Sequence, residues 1–306
     1  MGWRTVHIKQ SDCLKLRLDN LEITKENNKY YIPLSDINML IVEGNTSLTT
    51  NILSALSAND VVTIICDRKY MPNTFILNYG GYHHSAKRAN IQISWEQDFK
   101  SKVWEKIVQQ KMVNQLDFLQ NFKNPETPQD RLDKMRELID SMEDGDRTNR
   151  EGLVAKVYFN TLYGLNFSRN NDDYIINSAM DYGYAIIRAA IARIVVSQGL
   201  IPSFGIRHKN EYNSFNLVDD LMEPFRPLMD YWLTEIVIQD QDYLSYETRL
   251  KIIDFINQDM FCEGQKSSVE NVMERYVISF FSAMTQETPD RLISIQLNDF
   301  VEAQDL

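Results

Sequence analysis

Apolar and polar residues alternate along roughly the first 80 positions and then fall into a helical period. Residues 5–8 and 13–18 alternate as half-buried strands do, and 21–24 and 30–33 repeat the pattern around a polar Lys25-Glu-Asn-Asn-Lys29 turn. Residues 39–43 and 61–66 are short, nearly continuous apolar runs, and 74–77 is a further short strand. Between them, Thr46-Ser47 precedes a helix over 48–58, with apolar residues at Leu48, Ile52, Leu53 and Leu56. Two glycines in Asn78-Tyr-Gly-Gly-Tyr-His-His-Ser85 mark a linker. Beyond it the period predicts helices over 95–122, 131–142, 151–162, 172–198, 217–237, 246–257 and 269–284. Asn124-Pro-Glu-Thr-Pro128 breaks the first pair apart. The expected fold class is α+β with two domains. A small N-terminal β-sandwich-like domain (1–80) is followed by a linker (81–90) and a larger all-helical C-terminal catalytic domain (91–306).

Composition narrows this picture. A chain of 306 residues with 43% hydrophobic and 25% charged residues can bury a sizeable core, and 15 Tyr with 14 Phe argue against disorder. Cys13, Cys66 and Cys262 are too scattered for a disulfide framework or a thiolate metal site. The opening MGWRTVHIKQ has no apolar run, and the apolar stretch at 185–196 contains Arg188 and Arg193 and is too short to span a bilayer. A cytoplasmic protein without a membrane partner is expected. The net charge of −11 disfavours nucleic acid as a partner. Its distribution tempers that, because His83, His84, Lys87, Arg88, Lys100, Lys102, Lys106 and Lys111 form a basic stretch.

Candidate chemistry concentrates in residues 199–230. A Gly/Pro-marked turn leads to His208, flanked by Arg207 and Lys209, and Asp219, Asp220 and Glu223 follow. On a helix these acids share a face, where like charges repel unless a cation neutralises them. The plainer reading is a solvated acidic face. Leu217, Val218, Leu221, Met222 and Phe225 count against it, because they make the helix largely buried. Pro224 kinks it, and Arg226 or a metal ion would supply the missing charge. Glu151 opens a separate helix, where an acid is at home against the helix dipole. As function, Glu151-Gly-Leu-Val-Ala155 lets another backbone approach its carboxylate. Arg169, Asp173, Asn177 and Asp181, with Tyr182 and Tyr184 beside them, recur along one helical face, either as an ordinary exposed stripe or as a phosphate-facing edge.

Four motifs in order then carry a family resemblance. Glu-Gly-x-x-Ala-x-x-Tyr-Phe (151–159) is followed by Arg, Asp, Asn and Tyr-Gly-Tyr (169–184). Gly-Leu-x-Pro-x-x-Gly-x-x-His (199–208) comes next, and Asp-Leu-Met-Glu-Pro-Phe-Arg-Pro closes the series at 220–227. The chain resembles the CRISPR adaptation integrases, the Cas1 family, over nearly its whole length, and the last motif is similar to the type II branch that accompanies Cas9. The resemblance implies a metal-dependent DNA endonuclease and integrase that inserts short foreign DNA into a CRISPR array. A 3′-hydroxyl would attack a phosphodiester at the edge of a repeat. It implies magnesium or manganese held by Glu151, His208 and Glu223, with Asp220 as an accessory acid. Glu223 stands where many members have Asp. The implied partners are prespacer and repeat DNA, a second copy of the chain in a homodimer, a Cas2 dimer and other type II adaptation proteins. Arg207, Lys209 and Arg226 are the candidate phosphate contacts near the metal, with Lys87, Arg88, Lys102 and Lys106 as weaker ones. Two other readings compete: a non-catalytic DNA-binding scaffold of the same assembly, and a metal hydrolase of small phosphate esters.

Overall fold

The computed structural model describes residues 2, 4–80, 82–123, 127–171, 174–237 and 243–304. The chain divides into two compact units, Met1–Asn90 with Arg188–Ile201, and Ile91–Ile187 with Pro202–Leu306.

The first unit contains strands β1 (Arg4–Lys9), β2 (Cys13–Arg17), β3 (Asn20–Lys25), β4 (Asn28–Pro33), β5 (Ile37–Glu43) and β6 (Ser47–Leu48). Helix α1 (Thr50–Ala58) and strands β7 (Val62–Cys66) and β8 (Pro72–Ile76) complete it. One sheet has the order β1-β5-β7-β8 and the other β4-β3-β2-β6. In the first, β5 lies between two parallel neighbours, and all seven of its residues are buried. This is why 39–43 reads as an unbroken apolar run: a strand covered on both faces has no solvent side to alternate with. The antiparallel meander β2-β3-β4 has an exposed edge, and it reads as alternation. Val6, Leu14, Leu21, Leu40 and Val42 from both sheets pack with Ile52 and Leu56 of α1 in one apolar core.

In the expected linker, helix α2 (Ser85–Ile93) forms instead of an open connection. Ala86, Lys87, Arg88 and Ala89 are all strong helix formers, and that propensity outweighs the glycines just upstream.

The second unit is built around α3 (Gln97–Asp117), which buries Val103, Trp104, Ile107, Val108 and Met112. Helix α4 (Gln129–Asp140) and α5 (Arg150–Tyr163) follow, then α6 (Ile175–Ser197). The predicted single helix over 217–237 is a succession of shorter pieces. α7 (Asn216–Met222) runs into a tight 3-10 turn, Glu223–Phe225, then α8 (Arg226–Tyr231) and a wider turn, Trp232–Val237. Pro224 and Pro227 have no N–H to donate four residues back, so the chain tightens, and Arg226 N–H donates to Glu223 O. Helix α9 (Tyr246–Ile253) precedes strands β9 (Asp259–Cys262) and β10 (Gln265–Ser268), and α10 (Val269–Gln286) and α11 (Leu297–Gln304) close the chain. The hairpin β9-β10 corrects the all-helical expectation for this domain. Glu263 (φ 51°) and Gly264 (φ 75°) form its two-residue turn, a conformation that suits a tight antiparallel pair.

Candidate active site

Three helices of the second unit bring the candidate residues together, and an unforeseen lysine stands among them. Glu151 is placed by the N-terminus of α5. Asp146 caps that end, its Oδ1 accepting from Arg150 N (2.6 Å) and its Oδ2 from Glu151 N (3.3 Å). Glu223 is placed by the 3-10 turn between α7 and α8. Asn114, buried on α3, fixes this turn: its Nδ2 donates to Pro224 O (3.2 Å) and Ile295 O (2.9 Å), and its Oδ1 accepts from Leu297 N (2.9 Å). Lys111, one turn before Asn114, reaches between the two acids. Its Nζ pairs with Glu151 Oε1 and lies 2.6 Å from Glu223 Oε2. Arg226 Nη2 approaches Glu223 Oε1 at 3.3 Å from the other direction.

Electrostatics follow from this packing. Burial alone would push the Glu223 carboxyl up, but Arg226 and Lys111 together hold it below the ordinary carboxylate range. Burial likewise disfavours charge on Lys111, and Glu223 and Glu151 outweigh it, raising the ammonium above its usual value. Both partners therefore stay ionised inside the protein.

His208 and Asp220 form a second cluster beside this one. Asp220 is fully buried. Its Oδ2 accepts from Ile206 N (2.7 Å) and Arg207 N (3.1 Å), and its Oδ1 from His208 N (3.1 Å) and His208 Nδ1 (2.7 Å). The loop can wrap the carboxylate this closely because residue 205 is glycine. A Cβ there would stand 2.5 Å from His208 O and 2.7 Å from Asp220 Oδ2. Asp220 thus engages the His208 loop, while Glu223 faces Lys111. The Asp220 hydrogen bond is the main cause that raises the His208 imidazole above its usual range, against partial burial, and Glu223 is close enough to add to it. Trp104 of α3 meets the His208 ring edge-on at 5.8 Å.

A buried network lies behind Arg226. Its guanidinium sits 5.1 Å from the Tyr184 ring, and that of Arg169 sits 5.7 Å from the same ring. Tyr184 Oη donates to Asp230 Oδ1 (2.5 Å) and Tyr158 Oη to Asp230 Oδ2 (3.2 Å). Burial pushes the Asp230 carboxyl up to about 6. α6 approaches α8 closely enough for this because a Cβ at Gly183 would meet Met229 Sδ at 2.7 Å. Of the predicted polar stripe, Arg169 precedes the helix and reaches Asn177 Oδ1 (2.7 Å) and Asp181 Oδ1 (2.6 Å). Asp173 lies outside the described residues.

The candidate phosphate contacts divide between the units. Arg207 and Lys209 are exposed beside His208, and Lys209 Nζ donates to Gln97 Oε1 (2.9 Å). Arg226 is half-buried at Glu223. Lys87 and Arg88 belong to the first unit, where Arg88 donates to Tyr82 Oη (3.0 Å). Lys106 pairs with Asp290 (2.6 Å), and Lys111 leaves the basic stretch for the interior. Sequence reasoning missed Lys111, Asn114, Asp146 and Asp230 as parts of the site. The signal for Lys111 was its place in the buried stripe of α3, one turn beyond Ile107.

As arranged, no group of three or more His, Cys, Asp or Glu side chains among the described residues is set to hold a metal ion. The donor types nevertheless fit one. Two carboxylates converge on a single positive charge, and an imidazole within electrostatic reach has its Nδ1 already bound to Asp220. No described helix is long and apolar enough to cross a membrane.

A strand-rich unit is joined to a helical unit in which Glu151 and Glu223 converge on Lys111 and His208 is anchored by Asp220, a two-unit protein with a carboxylate-rich site. The model of the family "CRISPR associated protein Cas1" matches residues 6–250, and the chain belongs to that family. It is 34% identical to the CRISPR-associated endonuclease Cas1 of Neisseria meningitidis serogroup C (strain 8013) over 298 residues, 95% of each chain. Among solved structures, its fold is similar to a Cas6-RT-Cas1–Cas2 complex (TM-score 0.75, 18% identity, 96% of this chain and 36% of that one). It is also similar to a casposase bound to integration product (TM-score 0.72, 20% identity, 94% and 91%).

Proposed function

We propose that the chain is a divalent-metal-dependent DNA integrase and endonuclease that joins short DNA into a CRISPR array. The observation that carries this reading is the convergence of Glu151 and Glu223 on one cation position beside an Asp220-anchored His208. Family membership and the endonuclease name of the Neisseria relative support it. The casposase, with its integration product, supports the integrase side, and the Cas2-containing complex supports a Cas2 partner.

In this reading Glu151, His208 and Glu223 hold a magnesium or manganese ion, which when bound supplies Lewis-acid polarisation of the scissile phosphate. The chain's own residues do the rest. Asp220 accepts a hydrogen bond from His208 Nδ1–H, which leaves the Nε2 lone pair of the neutral imidazole as the atom that would ligate the ion. Arg207, Lys209 and Arg226 hold phosphate oxygens, and Lys87 and Arg88 are further DNA contacts. The 3′-hydroxyl oxygen of the incoming strand forms a bond to phosphorus and loses its proton. The repeat strand's 3′-oxygen leaves and is protonated. Phosphodiester replaces phosphodiester, so no protein nucleophile is needed. With water in place of the hydroxyl, the same site cleaves DNA. The protein works as a homodimer with a Cas2 dimer and other type II adaptation proteins, on prespacer and repeat DNA.

The test is a strand-transfer assay on a repeat-containing plasmid with Cas2, using donor DNA that ends in either a 3′-hydroxyl or a 3′-deoxy sugar. Joined product should form with magnesium or manganese, vanish with chelator and require the hydroxyl. Salt-sensitive DNA binding with no joined product under any of these conditions would favour the scaffold reading instead.

A further inference from the structure

Lys111 belongs to no part of the chemistry above, yet it is the best-placed cation in the site. It projects from the apolar stripe of α3 and is 7% exposed. Its Nζ contacts both glutamates that the proposed function assigns to the metal. A lysine on the stripe between Ile107, Val108 and Met112 costs desolvation unless its charge is matched, and Glu151 and Glu223 are the carboxylates its Nζ contacts. Arg226 is a second cation at the same pair, so two acids face two bases. A divalent ion entering this arrangement would add two positive charges at a pair of acids that Lys111 and Arg226 already face.

We propose that Lys111 holds the cation position between Glu151 and Glu223 in the DNA-free protein, and that a divalent ion must compete with it. This rests on the metal-site reading above and adds a consequence. Because the glutamates are already neutralised, the free protein binds divalent ions weakly. Phosphate charge from DNA relieves the excess positive charge once the ion enters, whether Lys111 leaves the pair or turns to the phosphate. Metal and DNA therefore load together, and Lys111 is the residue that couples them.

The experiment measures manganese binding to the full chain by the electron paramagnetic resonance of free Mn²⁺, with and without a short duplex carrying 3′ overhangs. Wild type, Lys111→Met, Lys111→Arg and Glu223→Gln are compared. Methionine keeps the length and apolar stem of lysine without its charge. Without DNA, Lys111→Met should bind Mn²⁺ about tenfold or more tighter than wild type, since a competing charge is gone, and Lys111→Arg should not. DNA should tighten binding to wild type by a similar factor and to Lys111→Met by much less. Equal or weaker binding to Lys111→Met, with Glu223→Gln still abolishing binding, overturns the competition while leaving the metal site standing. Absence of any Glu223-dependent Mn²⁺ binding overturns both. A measurement on wild type alone guards against misfolding of the variant. Reductive methylation of Lys111, followed by mass spectrometry, should change in rate as Mn²⁺ and DNA saturate the site, faster where Lys111 leaves the pair for solvent and slower where it turns to a phosphate. An unchanged rate at saturation overturns the proposal.

Discussion

Asp220 binds four donors from three consecutive residues, 206–208, and this makes it the anchor of His208. Replacing it with alanine removes the acceptor of three backbone N–H groups, that of Ile206 among them buried. We expect Asp220→Ala to lower unfolding free energy by about 2–4 kcal/mol in urea titrations. The same bond governs the imidazole. Asp220 raises His208, so its contribution to stability is fully present below the ordinary histidine value and fades as pH rises through the folded-state value. In Asp220→Asn, the His208 ring proton followed by NMR should titrate at lower pH than in wild type. An unmoved titration would show that the hydrogen bond does not govern it. Lys111 and Asn114 belong to this scale as well. Each is a polar residue on a buried helical stripe, and each earns its place through specific partners rather than through apolar contact.

At the scale of elements, the kinked segment 216–237 decides where Glu223 points. The sequence announced the kink through Pro224 and Pro227, and the acids through their spacing. It did not say which acid would face Lys111, because that depends on the turn held by Asn114, more than a hundred residues away. Asn114→Leu keeps the branched shape, with the same number of side-chain heavy atoms, and removes all three of its hydrogen bonds. We expect a loss of about 2–4 kcal/mol in denaturation, and weaker Mn²⁺ binding because Glu223 is no longer held. Stability within error of wild type would mean that the two prolines alone set the turn. Strands 5–8, 13–18, 21–24 and 30–33 were legible within a residue or two, because their apolar and polar residues alternate in sequence and polar residues separate them. The hairpin β9-β10 was not: its strands are four residues each, and a Glu-Gly turn is a weaker signal than Asn-Gly. Helix α2 was hidden by the glycines before it.

Across the whole molecule, the hydrophobic period changes near residue 80, while the first compact unit runs on to Asn90. The chain also returns, with Arg188–Ile201 grouped with the first unit, and no local pattern reports such a return. The four motifs pointed to Glu151, His208 and Glu223, and the structure sets the two glutamates against Lys111 and the histidine against Asp220. Their neighbours escaped, because burial of a charge is a tertiary fact. Asp230 shows the cost of one. Its folded value of about 6 lies above that of an unfolded aspartate, so the native state binds the extra proton between pH 4 and 6. Stability from this group should fall as pH rises through that window and level off above it. Asp230→Asn removes the titration. The stability of wild type relative to Asp230→Asn should therefore decline by about 3 kcal/mol between pH 4 and 7, measured by urea unfolding at each pH. A constant difference would show that Asp230 is not held up by burial.

The central claim is that Glu151, His208 and Glu223 act as one metal-dependent site on DNA. Its most direct test is strand transfer into a repeat-containing plasmid by Glu151→Ala, His208→Ala and Glu223→Ala, each first shown to melt cooperatively. The account predicts that every one of the three loses joined product by about a hundredfold or more, the scale of several kcal/mol of transition-state stabilisation. Folded His208→Ala and Glu223→Ala proteins that join DNA at the wild-type rate would contradict it.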